Sequence, residues 1–315
     1  MNKRLRRTTF MLAIATLLGA VLSACGSGPN DTLSDAAYRQ SIRQWRAQRL
    51  AGLTRPDGWL SLVGLLWLKP GDNSFGAAAS NDLTLDDPRA PGRIGTFTLS
   101  HDGVRFTPAP GTPLTEDGKP VAGPLAMVPD THEHPTELAS GSIRFYAIER
   151  VGRFGVRVKD SQAPTRVGFK GLDYFPIDRG WRFHARFVAY DPVKKIPIVN
   201  VLGMVEDMPS PGALVFEKNG KTFRLDTVDE GGDQLFVMFA DKTSGKSTYG
   251  AGRFIYVDKP VDGHVVLDFN EAYNPPCAFT SFATCPMPPP GNRLKLAITA
   301  GEKRYAGGHG ERAPE

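Results

Sequence analysis

From Trp181 to Tyr190 the chain alternates. Trp181, Phe183, Ala185, Phe187 and Ala189 fall on one side, and Arg182, His184, Arg186, Val188 and Tyr190 on the other. A period of two is the signature of a strand, because successive side chains of a strand point to opposite faces. The same period recurs in short runs separated by turn chemistry, and this constrains the fold more than any other feature. Residues 94–99 and 104–106 flank His101-Asp102-Gly103. Residues 143–149 and 155–159 flank a five-residue turn, and residues 214–217 and 222–225 flank Asn219-Gly220. Asn-Gly accepts the positive φ that a type I′ hairpin turn demands. Further strands are predicted at 235–240, 253–257, 265–269 and 294–299, with Asp262-Gly263 as another turn. Glycine (34) and proline (26) make up about a fifth of the 315 residues. That argues against a long helical bundle, yet stays below the roughly 25–30% of low-complexity chains. The reading is a mainly β fold, all-β to α+β, with an antiparallel sandwich or barrel-like core.

One helix is predicted, over residues 34–51. Ser34 is its N-cap, since a serine hydroxyl accepts an orphan backbone N–H. Tyr38, Ile42, Trp45, Arg49 and Leu53 recur at helical spacing, and Gly52 and Pro56 end the pattern. Arg39, Arg43 and Arg46 lie on its polar face. The apolar run 59–68 is too short to span a bilayer, which needs about 20 residues, and reads as buried core. Residues 108–135 hold seven prolines and three glycines, either a sub-domain break or a long loop inside one β-rich domain over 34–305. Residues 306–315 read as a disordered tail.

The first residues have a separate purpose. Lys3, Arg4, Arg6 and Arg7 precede an apolar core running to Leu22, and Leu22-Ser23-Ala24-Cys25 follows. This segment resembles a bacterial lipoprotein signal peptide with its lipobox. The resemblance implies cleavage before Cys25, lipidation of Cys25, and a flexible tether over 25–33. It places the protein at the cell envelope, on the outer membrane facing the periplasm in a Gram-negative cell. More than one acyl chain holds a protein to a membrane without a span. Without the four leader cations, 38 basic and 33 acidic residues leave a net of +1. Phosphate neutralisation needs clustered positive charge, so nucleic acid is excluded as the main partner.

Familiar catalytic motifs fail in context. Gly245-Lys246-Ser247 lacks the earlier glycine of a phosphate loop, since position 240 is Ala240, and it joins strands rather than a strand and a helix. Gly250-Ala251-Gly252 reads as a bulge or a close backbone approach. No Gly-x-Ser-x-Gly elbow is present. His132-Glu133-His134 offers two imidazoles, but catalytic zinc needs three protein ligands. A solvated loop is the reading, and neither metal nor cofactor is expected.

Residues 241–305 are the most distinctive. Leu267-Asp268-Phe269-Asn270 leads to Ala272-Tyr273-Asn274-Pro275-Pro276-Cys277, and Thr284-Cys285-Pro286 leads to Asn292-Arg293-Leu294 and Gly301-Glu302-Lys303. With Gly58-Trp59-Leu60 and Phe175-Pro176-Ile177-Asp178, this resembles the bacterial and archaeal family known as domain of unknown function 1684. The resemblance covers about residues 40–305 and implies no assigned reaction and no catalytic residue.

Local chemistry leaves alternatives. Cys277 and Cys285 would pair as a structural disulfide in an oxidising compartment; closing so short a loop is worth about 2–3 kcal/mol. Alternatively they are redox or nucleophilic thiols, which need a cation nearby. Asp241, Tyr249, Arg253, Asp268, Asn270, Asn274, Asn292, Arg293 and Glu302 are candidates to line a polar pocket. The alternative is that the Asn and Asp side chains cap turns while arginine ties strands together. The primary functional reading is a lipid-anchored module binding a small polar or anionic ligand. The second is an envelope hydrolase with Asp268 or Glu302 as base and Arg253 or Arg293 as anion clamp. The third is a structural lipoprotein that binds protein partners.

Overall fold

The Ser34 hydroxyl accepts the Ala37 N–H at 3.2 Å, and helix α1 (Asp35–Leu53) starts from that cap. It runs two residues beyond the predicted end and closes where Thr54 N–H meets Leu50 O. Its buried residues are Tyr38, Ile42 and Leu53, the predicted apolar face. Arg46 instead turns inward, donating to Phe175 O at 3.0 Å and lying 4.2 Å from the Tyr174 ring centre. The computed structural model describes residues 33–307, all within one compact unit. The leader, Cys25, most of the tether and residues 308–315 lie outside the described residues.

Strands then dominate. The first are β1 (Leu62–Trp67), β2 (Gly71–Gly76), β3 (Leu83–Thr84), β4 (Gly95–Ser100) and β5 (Gly103–Pro108). The proline-rich stretch contributes β6 (Thr115–Glu116), β7 (Lys119–Pro120) and β8 (Leu125–Ala126). After them come β9 (Glu137–Ser140), β10 (Ile143–Arg150), β11 (Arg153–Asp160) and the single-turn α2 (Pro164–Val167). The remainder holds β12 (Arg182–Val199), β13 (Val205–Lys218), β14 (Lys221–Asp226), β15 (Gln234–Phe239), β16 (Arg253–Asp258) and β17 (His264–Asp268).

Four sheets result, ordered β1-β11-β10-β9-β6-β7, β3-β2-β4-β5-β8, β14-β13-β12-β17 and β15-β16. β2 and β3 run parallel; the other strand pairs are antiparallel. The fold is mainly β as the alternation predicts, and no closed barrel forms among the described residues. The short strands of 108–135 pair into two different sheets, β6 with β9 and β8 with β5.

The five- and six-stranded sheets share one apolar core. Phe75, Phe97 and Phe106 from one sheet meet Phe145 from the other, with Phe97–Phe106 centroids 4.6 Å apart and Phe75–Phe145 5.2 Å apart. Such offset aromatic pairs add about 0.5–1.5 kcal/mol beyond burial. A second core joins the β12–β14–β17 region to β15 and β16 through Trp181, Leu214, Phe239, Leu267 and Phe269. A third gathers Leu53, Leu60, Phe236, Phe254, Phe279 and both cysteines.

The predicted hairpins form. Asn219 and Gly220 have φ of 53° and 70°, the left-handed values of a type I′ turn. The predicted strand at 181–190 is longer, continuing to Val199 beside β13. Pro192 and Pro197 donate no N–H to the ladder. The ladder absorbs Pro192 in a register irregularity between Ala189 and Lys194. The segment 294–299, predicted as a strand, forms none.

Candidate functional site

The predicted polar residues other than Arg293 fall into separate buried networks. Arg253 is 1% exposed. Its Nη2 donates to Asp241 Oδ2 at 2.8 Å and to Ile298 O at 3.0 Å. Its Nη1 donates to Ala300 O and, at 3.3 Å, to Glu302 O. Burial pulls its pKa down, and Asp241 opposes that pull. The predicted strand at 294–299 is reduced to one parallel bridge with residues 240–242, beyond which the Ile298 and Ala300 carbonyls turn to the Arg253 guanidinium.

Asp268 belongs to a second network. The Tyr38 hydroxyl donates to Asp268 Oδ2 at 3.0 Å, and Asn270 Nδ2 donates to that hydroxyl at 2.8 Å and to Asp268 Oδ1 at 2.9 Å. Arg182 Nη1 adds a bond to Asp268 Oδ2 at 3.3 Å. Burial, then the Asp268 charge, raise the Tyr38 pKa far above its usual value. Next to them, burial and Asp268 push the Glu271 carboxyl up to about 7.

Glu302, 0% exposed, anchors a third network. Its Oε1 accepts from Arg49 Nε at 3.0 Å, and its Oε2 accepts the Asn274 N–H at 2.8 Å. Asn274 Nδ2 donates to Lys303 O. Asn292 bonds both backbone groups of Asp226 and also Met238 O. The Tyr249 hydroxyl donates to Cys277 O at 3.2 Å. Arg293 is exposed.

None of those nine side chains lines the cavity of about 490 Å³ that opens elsewhere. Its walls come from distant segments: Arg49 of α1, Trp59, Arg150 and Arg157 of the β10–β11 hairpin, Phe236 and Tyr256 of β15–β16, Tyr273, and residues 283–286. Three arginines and an aromatic wall define it. Arg49 is neutralised by Glu302 and lies 4.6 Å from the Tyr273 ring centre. Arg150 pairs bidentately with Asp130, at 2.8 and 2.7 Å, the stronger geometry for an arginine–carboxylate pair.

Arg157 is different. Its side chain is 3% exposed, and it reaches Asp130 only at 3.8 Å. Its Nη2 donates to Thr284 Oγ1 at 3.3 Å, and its Nε has no hydrogen-bond partner among the described residues. Its guanidinium lies 5.6 Å from the Trp59 ring centre. Two cations thus share one carboxylate in a largely buried place, where an unpaired charge is expensive. Glu206 and Glu230 stand exposed at the rim, Glu230 holding the Tyr256 hydroxyl at 2.7 Å.

Cys285 also lines the cavity, and Cys277 shares its apolar cluster without bordering the cavity. The disulfide expected from sequence is not formed: both are buried thiols. They face each other, each N–H donating to the other sulfur, at 3.1 Å from Cys277 and 3.4 Å from Cys285. The Cys277 thiol donates to Ala283 O at 3.4 Å. These bonds satisfy the sulfurs without a covalent link. A hydrogen bond from Cys285 lowers the Cys277 pKa, with a small contribution from Arg157, while burial pushes Cys285 well up.

His132, Glu133 and His134 are exposed, as a solvated loop requires; no group of three or more candidate metal ligands gathers among the described residues. Residues 243–248 form a tight turn in which Thr243 O accepts three N–H groups, with Gly245 at φ 75°. A Cβ on Gly252 would lie 2.6 Å from Phe239 O, the close backbone approach predicted there. The cavity arginines escaped the sequence reading. Arg157 sits between Val156 and Val158, so alternation assigns it to the solvent face of β11. Only its covering by distant segments makes it a site residue.

A family model described as "Protein of unknown function (DUF1684)" matches residues 167–303. The solution NMR structure of an uncharacterized protein of Haloarcula marismortui is 30% identical, covering 45% of this chain and 81% of that one, with a TM-score of 0.38. No curated protein matches. Arg49, Trp59, Arg150 and Arg157 lie outside the matched segment, so the cavity joins residues inside it to residues before it.

Proposed function

The chain belongs to the DUF1684 family, whose function is unknown, and from that premise we propose that it is a lipid-anchored envelope protein holding a small anionic ligand in the Arg49–Arg150–Arg157 cavity. The observation that carries this reading is Arg157, almost fully buried with its Nε unpartnered and its counter-ion already taken by Arg150. A carboxylate in the cavity would supply the counter-charge that Asp130 divides between two arginines. The aromatic wall of Trp59, Phe236, Tyr256 and Tyr273 suits an apolar or planar ligand body. The acidic rim favours a ligand whose outer end is neutral or cationic. Asp268 and Glu302, the bases of a hydrolytic reading, spend their oxygens on internal partners and do not border the cavity. That favours binding over hydrolysis.

Phenylacetate is the probe, with one carboxylate and one ring. Titration followed by tryptophan fluorescence and calorimetry should saturate, and Arg157→Gln should weaken binding by about tenfold or more, the worth of one lost charge-assisted bond. Equal binding by the variant, or no binding by the unmodified protein, counts against the cavity reading. The anchor has its own test. Cys25→Ala should move the protein from membranes to the soluble fraction, and retention on membranes would overturn lipidation.

A further inference from the structure

The cysteine pair and the buried arginine meet through one residue. Thr284 precedes Cys285, and its hydroxyl accepts from both Arg150 Nε and Arg157 Nη2, each at 3.3 Å. The guanidinium that awaits an anion is therefore tied to the segment carrying the cavity-facing sulfur. Cys277, the other sulfur, is as buried as Cys285 but does not border the cavity, and it accepts the Cys285 N–H. We infer that Cys277 and Cys285 form a thiol–disulfide exchange site whose substrates are small thiols and disulfides bearing a carboxylate, with Cys285 the sulfur that meets the substrate. This rests on the cavity reading for the substrate's charge. The cysteine pair itself stands on its own geometry.

The exchange balances in two steps. With the pair oxidised, a substrate thiolate attacks Cys285 Sγ. A substrate–Cys285 bond forms, the Cys285–Cys277 bond breaks, and Cys277 leaves as thiolate. A second substrate thiolate then attacks the substrate sulfur of the mixed disulfide, releasing the substrate disulfide and the Cys285 thiolate. Two substrate thiols are oxidised as one protein disulfide is reduced, with two electrons transferred and both protons ending on the cysteines. Run backwards, a small disulfide oxidises the pair. A leaving thiol of lower pKa departs faster, and the Cys285 N–H, 3.4 Å from Cys277 Sγ, is placed to stabilise the departing thiolate. A substrate carboxylate on Arg157 would hold the reacting sulfur near Cys285, which turns a bimolecular attack into a positioned one.

The full-length protein is equilibrated across glutathione/glutathione-disulfide buffers, quenched with acid and alkylated, and the 277–285 segment is read by peptide mass. One two-electron transition is expected, both cysteines changing together. Cys277→Ser should accumulate glutathione on Cys285, whereas Cys285→Ser should take up about tenfold less, because its remaining sulfur does not border the cavity. A pair that stays oxidised through millimolar thiol is a structural bond only and overturns the inference, as does equal labelling of the two variants. A measurement without mutation covers misfolding of either variant. Reduction of the oxidised protein by mercaptoacetate should exceed that by 2-mercaptoethanol about tenfold per thiolate, relative to the same thiols acting on hydroxyethyl disulfide. Equal rates overturn the anionic substrate. If phenylacetate still binds, the exchange site has failed and the cavity reading survives; if phenylacetate does not bind, the cavity reading has failed first.

Discussion

Arg157 stands 3.8 Å from the carboxylate of Asp130, and that carboxylate already receives both terminal nitrogens of Arg150. One acid serving two cations makes the two partners unequal under mutation. Asp130→Asn should destabilise the protein by about 2–4 kcal/mol, because two desolvated guanidinium groups lose their shared counter-charge. Arg157→Met should be near neutral or stabilising without ligand, since a buried cation is replaced by a thioether of similar length. Urea unfolding of both variants checks the contrast.

Tyr38 connects α1 to β17 through its hydroxyl, which donates to Asp268 and accepts from Asn270. Tyr38→Phe keeps the ring and leaves those polar groups short of a partner. The expected loss is about 1–3 kcal/mol, read as a lower denaturant midpoint with an unchanged slope.

Arg49 and Glu302 should show strong coupling. Arg49→Met strands a carboxylate that is 0% exposed, and the expected loss is about 3–5 kcal/mol. Arg49→Met with Glu302→Gln removes the stranded charge and should recover part of it. A double-mutant cycle with additive losses would contradict this pairing.

Glu271 predicts a pH dependence. Its folded pKa is raised to about 7 by burial and by Asp268, so the native state holds this proton more tightly than the unfolded chain. Its contribution to stability is complete below the ordinary value of 4.5 and is lost as pH rises to about 7. Glu271→Gln keeps the neutral form at every pH and should remove a slope worth about 1–3 kcal/mol between these limits. Unfolding free energies at pH 5 and pH 8, compared for the two proteins, measure it.

The secondary structure was largely legible because it is written in short-range terms. Ser34 caps its helix through a residue three away, and Asn219-Gly220 turns through its own φ values. The strand predicted at 294–299 does not form for the opposite reason. Its apolar residues suit a strand, but Arg253, over 40 residues earlier in the chain, takes the carbonyls of Ile298 and Ala300. Asp268, Glu302 and Asn292 were recognised as a polar group without their partners, which lie in α1 or across sheets.

The sequence by itself determined a mainly β chain with one capped N-terminal helix, its hairpins, and membership of the DUF1684 family, since periodicity, turn residues and motif order are local or linear properties. Tertiary structure alone decided the cavity. Arg49, Trp59, Arg157, Tyr273 and Cys285 are spread over more than 230 residues, and each reads locally as an ordinary helix-face, strand or loop residue. Their burial, and with it the unmet hydrogen bond of Arg157, exists only once sheets and helix close over them, because desolvation depends on what covers a group and not on its neighbours in the chain.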